Sequence, residues 1–175
     1  MIKLLDILEN KVLVPRRSKE ERAKNYLIFT QKQIQQYMKD GGKGDLNLKN
    51  TPITSLPQGL KVGGNLNLMN TPITSLPQGL KVGGTLSLYN TKITSLPDDF
   101  QVGDSVDLRN TPIISLPKGL QVDRDLYLTD LKITSLPQDL KVDGFLVLRN
   151  TPISKKYTEE EIRKMVPGVK GKIYL

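Results

Sequence analysis

Leu46-Asn-Leu-Lys-Asn-Thr-Pro-Ile-Thr-Ser-Leu-Pro-Gln-Gly-Leu-Lys-Val-Gly-Gly-Asn65 recurs almost letter for letter from Leu66, and diverged copies begin at Leu86, Val106, Leu126 and Leu146. A fixed period of this length marks a stacked array rather than a globule with one irregular core. Each copy carries apolar residues at six fixed places, for example Leu66, Leu68, Ile73, Leu76, Leu80 and Val82. Burying six aliphatic side chains gives about 1.5 to 3 kcal/mol each, whereas ordering a backbone takes roughly 1 to 2 kcal/mol per residue. One copy cannot fold alone; stacking shares the burial between neighbours and leaves two ends that need caps.

Within a copy, Leu66-x-Leu68 alternates with period two, which predicts a short strand with Asn67 and Met69 outward. Equivalent strands then form a parallel sheet. Thr71-Pro72 holds the chain extended, Leu76-Pro77 opens a return stretch too short for a full helix, and Gly83-Gly84 turns it toward the next strand. The expected architecture is an α/β solenoid, right-handed, with a parallel sheet of short strands, an irregular convex side and helical N- and C-terminal caps.

Leu66-x-Leu68-x-x-Thr71-x-Ile73-x-x-Leu76-Pro77 resembles the leucine-rich repeat, in the short Leu-Pro-containing form of bacterial type III effectors such as YopM and the IpaH proteins. The run of Asn-Thr-Pro-Ile-Thr-Ser-Leu-Pro units is also similar to short repeat proteins of bacteria and tailed phages. The resemblance covers about residues 45 to 154 and implies a leucine-rich-repeat solenoid; it does not name a partner. The IpaH ligase activity belongs to a separate domain that uses a cysteine, and this chain has none, so only the repeat module carries over. The family's backbone-satisfying asparagine is replaced here by Thr51, Thr71, Thr91, Thr111 and Thr151, with Asn or Asp one residue earlier. A threonine ladder is expected, since the hydroxyl both donates and accepts; Leu131 interrupts it.

Residues 1–44 read as an N-terminal helical cap, 45–154 as six repeats and 155–175 as a C-terminal cap of helix plus terminal strand. Ser18-Lys-Glu-Glu21 and Thr30-Gln-Lys-Gln33 match the capping box, and Gly41-Gly42 comes after them as a stop. Helices are expected near 2–10, 19–29 and 31–39. Thr158-Glu-Glu-Glu161 opens another that stops before Pro167-Gly168. Gly171-Lys-Ile-Tyr-Leu175 aligns with Gly64-Asn-Leu-Asn-Leu68, so the last coil should run 27 residues, from Leu146 to Ile173, and end in a seventh strand.

The 175 residues include no Cys and no His. Disulfides, thiolate or imidazole zinc sites, Cys nucleophiles and Ser-His-Asp triads are excluded. No apolar run reaches the ~18 to 20 residues of a membrane span, and the start lacks the features of a secretory signal. A soluble cytoplasmic protein, of the producing cell or of a host, is expected, with no cofactor. The net charge of +8 resides in the ends: residues 1–44 hold 10 basic and 5 acidic groups, residues 45–145 hold 9 and 10, and residues 146–175 hold 7 and 3.

Positions repeated in every copy are explained by packing and turns, so residue-specific function should lie where the copies differ on the open face of the sheet. Three outward columns are expected: Asp45, Asn65, Thr85, Ser105, Asp125, Phe145; then Asn47, Asn67, Ser87, Asp107, Tyr127, Val147; then Lys49, Met69, Tyr89, Arg109, Thr129, Arg149. Neighbours in a column stand about 4.8 Å apart. Tyr, Phe, Met and Arg are the types enriched at interface centres, so Met69, Tyr89, Arg109, Tyr127, Phe145 and Arg149 are the candidate protein-binding patch of a non-enzymatic adaptor or inhibitor. The competing account is that they merely pack across strands and solvate the sheet.

A second reading is nucleic acid, held by Arg16, Arg17, Lys19, Arg22, Lys24, Lys155 and Lys156 through phosphate neutralisation. Interleaved acids at Glu20, Glu21 and Glu159 to Glu161 weigh against it. A third is a structural subunit whose terminal strand, Lys172 to Leu175, pairs with a neighbour. Asp104, Asp123, Asp125 and Asp143 gather at the inter-coil turn, where carboxylates can hold calcium, but aspartates at turns are ordinary. Gly41-Gly-Lys-Gly44 lacks the spacing and the Ser/Thr of a P-loop and reads as a turn.

Overall fold

The computed structural model describes residues 18–175. The expected helix near 2–10, with Arg16 and Arg17, lies outside them. Among the described residues no helix is long and apolar enough to cross a membrane.

Strands β1 (Leu46–Asn47), β3 (Leu66–Asn67), β5 (Leu86–Ser87), β7 (Val106–Asp107), β9 (Leu126–Tyr127), β11 (Leu146–Val147) and β12 (Ile173–Tyr174) form one seven-stranded parallel sheet in that order. Leu46 pairs with Leu66, Leu66 with Leu86, Leu86 with Val106, and so on at twenty-residue steps; the last step, Leu146 to Ile173, is 27 residues. The chain is therefore a parallel β-solenoid. The six apolar positions of each coil turn inward: Leu66, Leu68, Ile73 and Leu80 are fully buried, and Leu76 and Val82 are 7% and 2% exposed. Stacked coil on coil, they make one continuous core.

Among the described residues one helix, α1 (Lys19–Lys39), covers the open end of the first coil. Ser18 and Glu21 close a capping box, each accepting from the other's backbone N–H at 3.0 and 2.9 Å. The two expected helices are one because Thr30 does not cap: its hydroxyl donates back to the Tyr26 carbonyl (2.9 Å), the i−4 bond available within a continuing helix. Thr30 and Ile34 are buried. The Tyr37 hydroxyl lies 2.7 Å from the Gly42 and Gly44 carbonyls and accepts from the Gly63 N–H, tying the helix end to the first coil.

The convex side is more regular than expected. The residues just before each turn form a second set of paired strands: β2 (Lys61–Val62), β4 (Lys81–Val82) and β6 (Gln101–Val102) in one sheet, β8 (Gln121–Val122) and β10 (Lys141–Val142) in another. An exposed residue beside a buried one, with no further alternation, was too short a pattern to show as a strand in the sequence. The break between β6 and β8 coincides with Phe100, which stands where other coils have Leu60, Leu80, Leu120 and Leu140. Those leucines are buried, whereas the larger ring is only partly so, and a depression of about 590 Å³ opens beside it.

The threonines do not form an inter-coil ladder. Each hydroxyl donates within its own coil to the carbonyl three residues back, Thr71 to Leu68 and Thr91 to Leu88 at 2.7 and 2.8 Å. Leu131, 1% exposed, keeps the backbone version of that turn, its N–H donating to the Leu128 carbonyl. The ladder is built one residue earlier. Asn70, Asn90 and Asn110 donate from Nδ2 to the Oδ1 of Asn50, Asn70 and Asn90 at 2.8 to 2.9 Å. All sit at φ near +57°, a region Asn tolerates better than most residues. The ladder stops at Asp130, whose carboxylate has no amide hydrogen to give Asn110, and resumes as Asn150 donates to Asp130 (3.1 Å). Asn90→Ala removes two amide bonds and puts an alanine in the left-handed region. It is expected to destabilise by about 2 kcal/mol, with Asn90→Gly milder, as read by urea denaturation.

At the other end, α2 (Pro152–Lys156) and α3 (Glu159–Met165) replace the short return, capped by Thr151 and Thr158. Arg163 clamps the segment between α3 and the last strand: Nη1 donates to the Val169 carbonyl and Nη2 to the Gly171 carbonyl and Glu159, all at 3.0 Å. The clamp sets the start of β12.

Candidate functional site

The three expected columns differ in what they can offer. The first is mostly occupied with the fold: Asp45, Asn65 and Asp125 each accept, at 2.7 Å, the backbone N–H of the residue twenty positions on. In the second, Asn47, Asn67 and Asp107 turn back to accept the N–H two residues ahead at 3.0 to 3.1 Å. The third column, standing beyond that turn, presents its side chains more freely.

Arg109 is the centre of the face. Its Nε and Nη2 meet Oδ1 and Oδ2 of Asp107 at 2.8 and 2.7 Å, a bidentate pair that fixes the guanidinium plane. Asp107 is 8% exposed, so the anchor is well shielded although Arg109 itself is not. Held there, the Arg109 guanidinium lies 5.5 Å from the Tyr89 ring centre and 5.3 Å from that of Tyr127, within cation–π range of both. The bond to Asp107 raises the arginine pKa above its ordinary value, against the opposing effect of burial. Burial raises that of the Tyr127 phenol, and its hydrogen bond to Asp125 (3.1 Å) adds to the shift.

A second cluster lies toward the end of the array. Arg149 stacks on Tyr174 at 5.6 Å and Lys172 on the same ring at 5.1 Å. Phe145 meets Tyr174 edge to face, centroids 5.5 Å apart at 87°. Phe145 is 43% exposed.

Five of the six expected residues thus fall into two stacked groups, Tyr89–Arg109–Tyr127 and Phe145–Arg149–Tyr174. Met69, one rung before Tyr89, is half-buried and takes no part in the stacking. Sequence reasoning missed Tyr174 and the anchoring role of Asp107. The signal for Tyr174 was present, because aligning Gly171–Leu175 with Gly64–Leu68 puts Tyr174 in the second column; Val147 pairs with it directly.

Among the described residues the basic candidates do not converge. Lys19, Arg22 and Lys24 are exposed near the start of α1, against the first coil, whereas Lys155 and Lys156 end α2 after the sixth strand of the main sheet. Of the aspartates at the inter-coil turn, Asp104 faces Arg124 (3.6 Å), Asp143 pairs with Lys170 (2.9 Å) and Asp125 holds the Phe145 N–H. Among the described residues no three acidic side chains are grouped to hold a metal ion. No family model, curated protein or solved structure matches the chain.

Proposed function

We propose that the chain is a leucine-rich-repeat module that binds another protein through the open face of its main sheet and works without catalysis, as an adaptor or inhibitor in the cytoplasm of the producing cell or of a host. The observation that carries this reading is the Tyr89–Arg109–Tyr127 stack. Its guanidinium is locked by a shielded Asp107 and its rings are partly open to solvent. Aromatic and arginine side chains are the commonest energetic anchors of protein interfaces. A preformed arrangement loses little conformational freedom on binding. The fold needs neither ring: equivalent positions in other coils carry Lys49, Thr129, Asn67 or Ser87, in the same register.

Capture from nuclease-treated lysate of the native cell tests it, comparing wild type with Tyr89→Ala/Arg109→Ala/Tyr127→Ala. A protein partner retained by wild type is expected to bind the variant at least tenfold more weakly, with the far-ultraviolet dichroism of the two unchanged. Equal binding by a folded variant sinks the patch. Material that survives only without nuclease, and dissociates steeply as salt rises, points instead to the basic ends of the chain and a nucleic-acid partner.

A further inference from the structure

The open face is not level, and the reason is a coincidence of two short residues. In the third column Thr129 stands between Arg109 and Arg149; in the second, Val147 stands between Tyr127 and Tyr174. Each long pair is stacked on itself, Arg109 over Tyr127 and Arg149 over Tyr174. Two Arg–Tyr walls therefore flank a floor of Thr129 and Val147, with Phe145 on the rim, around a depression of about 380 Å³.

The walls differ in charge. Arg109 is neutralised by Asp107 at 2.7 Å. Among the described residues neither Arg149 nor Lys172 has a carboxylate within salt-bridge distance, and both stack on the Tyr174 ring. The site thus offers one cation, Arg149, with no carboxylate partner among the described residues, beside an apolar floor and aromatic edges; Lys172 shares the Tyr174 ring without lining the depression, and its charge already acts on the Glu159 carboxylate. The complement is a carboxylate next to an apolar side chain, since guanidinium binds carboxylate through paired hydrogen bonds and a flat ring or branched alkyl group can rest between the two stacks.

We propose that this depression takes an acidic segment of the partner protein, with one carboxylate on Arg149 and the neighbouring apolar side chain over Val147. The proposal rests on the protein-binding reading above and narrows it to the chemistry of the bound segment. Its basis is charge complementarity combined with a fixed, shaped floor.

The test is selection of random displayed peptides on the full chain, followed by fluorescence anisotropy with one enriched peptide resynthesised. Enriched sequences are expected to carry Asp or Glu adjacent to Phe, Leu or Ile. Two variants probe the two halves of the site: Val147→Tyr fills the floor with a residue that Tyr127 and Tyr174 already supply at the equivalent positions, and Arg149→Glu reverses the charge. Each is expected to weaken peptide binding at least tenfold, while Lys24→Glu, on α1, leaves it unchanged. No enrichment, enrichment without acidic residues, or undiminished binding to Val147→Tyr overturns the proposal. So does preferential retention of a random single-stranded DNA pool over peptides, which would make the stacked rings a base-binding surface. If partner capture is lost in Tyr89→Ala/Arg109→Ala/Tyr127→Ala but survives Val147→Tyr and Arg149→Glu, the face binds protein elsewhere and only this proposal falls. If capture survives all of them, both readings fall.

Discussion

Leu108→Ala is expected to lower the stability of the array by about 3 to 5 kcal/mol, the range of buried leucine truncations that leave a cavity. Leu108 is fully buried in the coil that begins with β7, the middle strand of the main sheet, with Leu88 before it and Leu128 behind. Its neighbours are held in register by paired backbone bonds, the Leu88 N–H donating to the Asp107 carbonyl and the Leu108 N–H to that of Tyr127. They cannot collapse into the space without breaking that ladder. Because each coil touches only its neighbours, a defect in the middle also weakens the coupling between the two halves. Urea denaturation should therefore show a lower midpoint and a shallower slope, as the halves cease to unfold together. Ile114→Thr is the matched control. Ile114 is 63% exposed and stands where four other coils carry Thr54, Thr74, Thr94 and Thr134. Its replacement should fall within about 0.5 kcal/mol of wild type. A Leu108→Ala loss no larger than that of Ile114→Thr would mean that the leucine column is not the core.

The period made the coil, its inward residues and the strand register readable, because every copy repeats the same answer. The 27-residue last step was readable for the same reason: Ile173 had to find a leucine-type slot, and the alignment with Leu66 supplied it. The features that escaped were decided by competition between groups that are individually capable of the same bond. Thr30 can cap a helix or bond back within one; an unbroken α1 favours the second. Thr71 and Asn70 can both bridge coils, and the choice depends on the left-handed backbone at Asn70, which points the amide along the stack while the threonine closes its own turn. The second set of strands depends on how nearly the return stretches approach, and its break falls at Phe100, whose hydrophobicity alone does not set it apart from the leucines of the other coils. The candidate site has the same character. Tyr89, Arg109 and Tyr127 could be picked out as unlike their equivalents. The depression between the two walls required knowing that Thr129 and Val147, ordinary residues taken singly, stand side by side.

Gly144→Ala is expected to destabilise the chain by roughly 2 to 4 kcal/mol, by combining overpacking with the loss of a hydrogen bond, and to reach the candidate site. The Gly144 N–H donates to the Arg124 carbonyl at 2.8 Å, and a methyl group on Gly144 would stand 2.7 Å from that carbonyl's carbon and oxygen and collide with Asp125 Oδ1. The collision matters because that oxygen accepts the Phe145 N–H. The same relation holds in the first coils: Asp45 folds over Gly64 to reach the Asn65 N–H, and Asn65 folds over Gly84 to reach that of Thr85. Where the glycine is replaced, by Asp104 or Arg124, the residue twenty positions before the next one is Thr85 or Ser105, a shorter side chain, and the Ser105 hydroxyl accepts the Asp125 N–H at a longer 3.2 Å. The glycine is thus required by the carboxylate or amide that crosses it rather than by a turn. Gly144→Ala must move either the sixth coil or Asp125. Since Asp125 also accepts from the Tyr127 hydroxyl (3.1 Å), moving it frees the phenol in the wall of the depression. Burial and then the bond to Asp125 raise the Tyr127 pKa. Losing the carboxylate's share removes a stabilisation of the protonated phenol, so the pKa should fall toward the ordinary tyrosine value while staying raised by burial. Titration of the Tyr127 ring by NMR, with hydrogen exchange of the Phe145 amide beside it, reads both consequences. A folded variant in which the Phe145 amide stays protected and the Tyr127 titration does not move would show that Asp125 is held by something other than the space over Gly144.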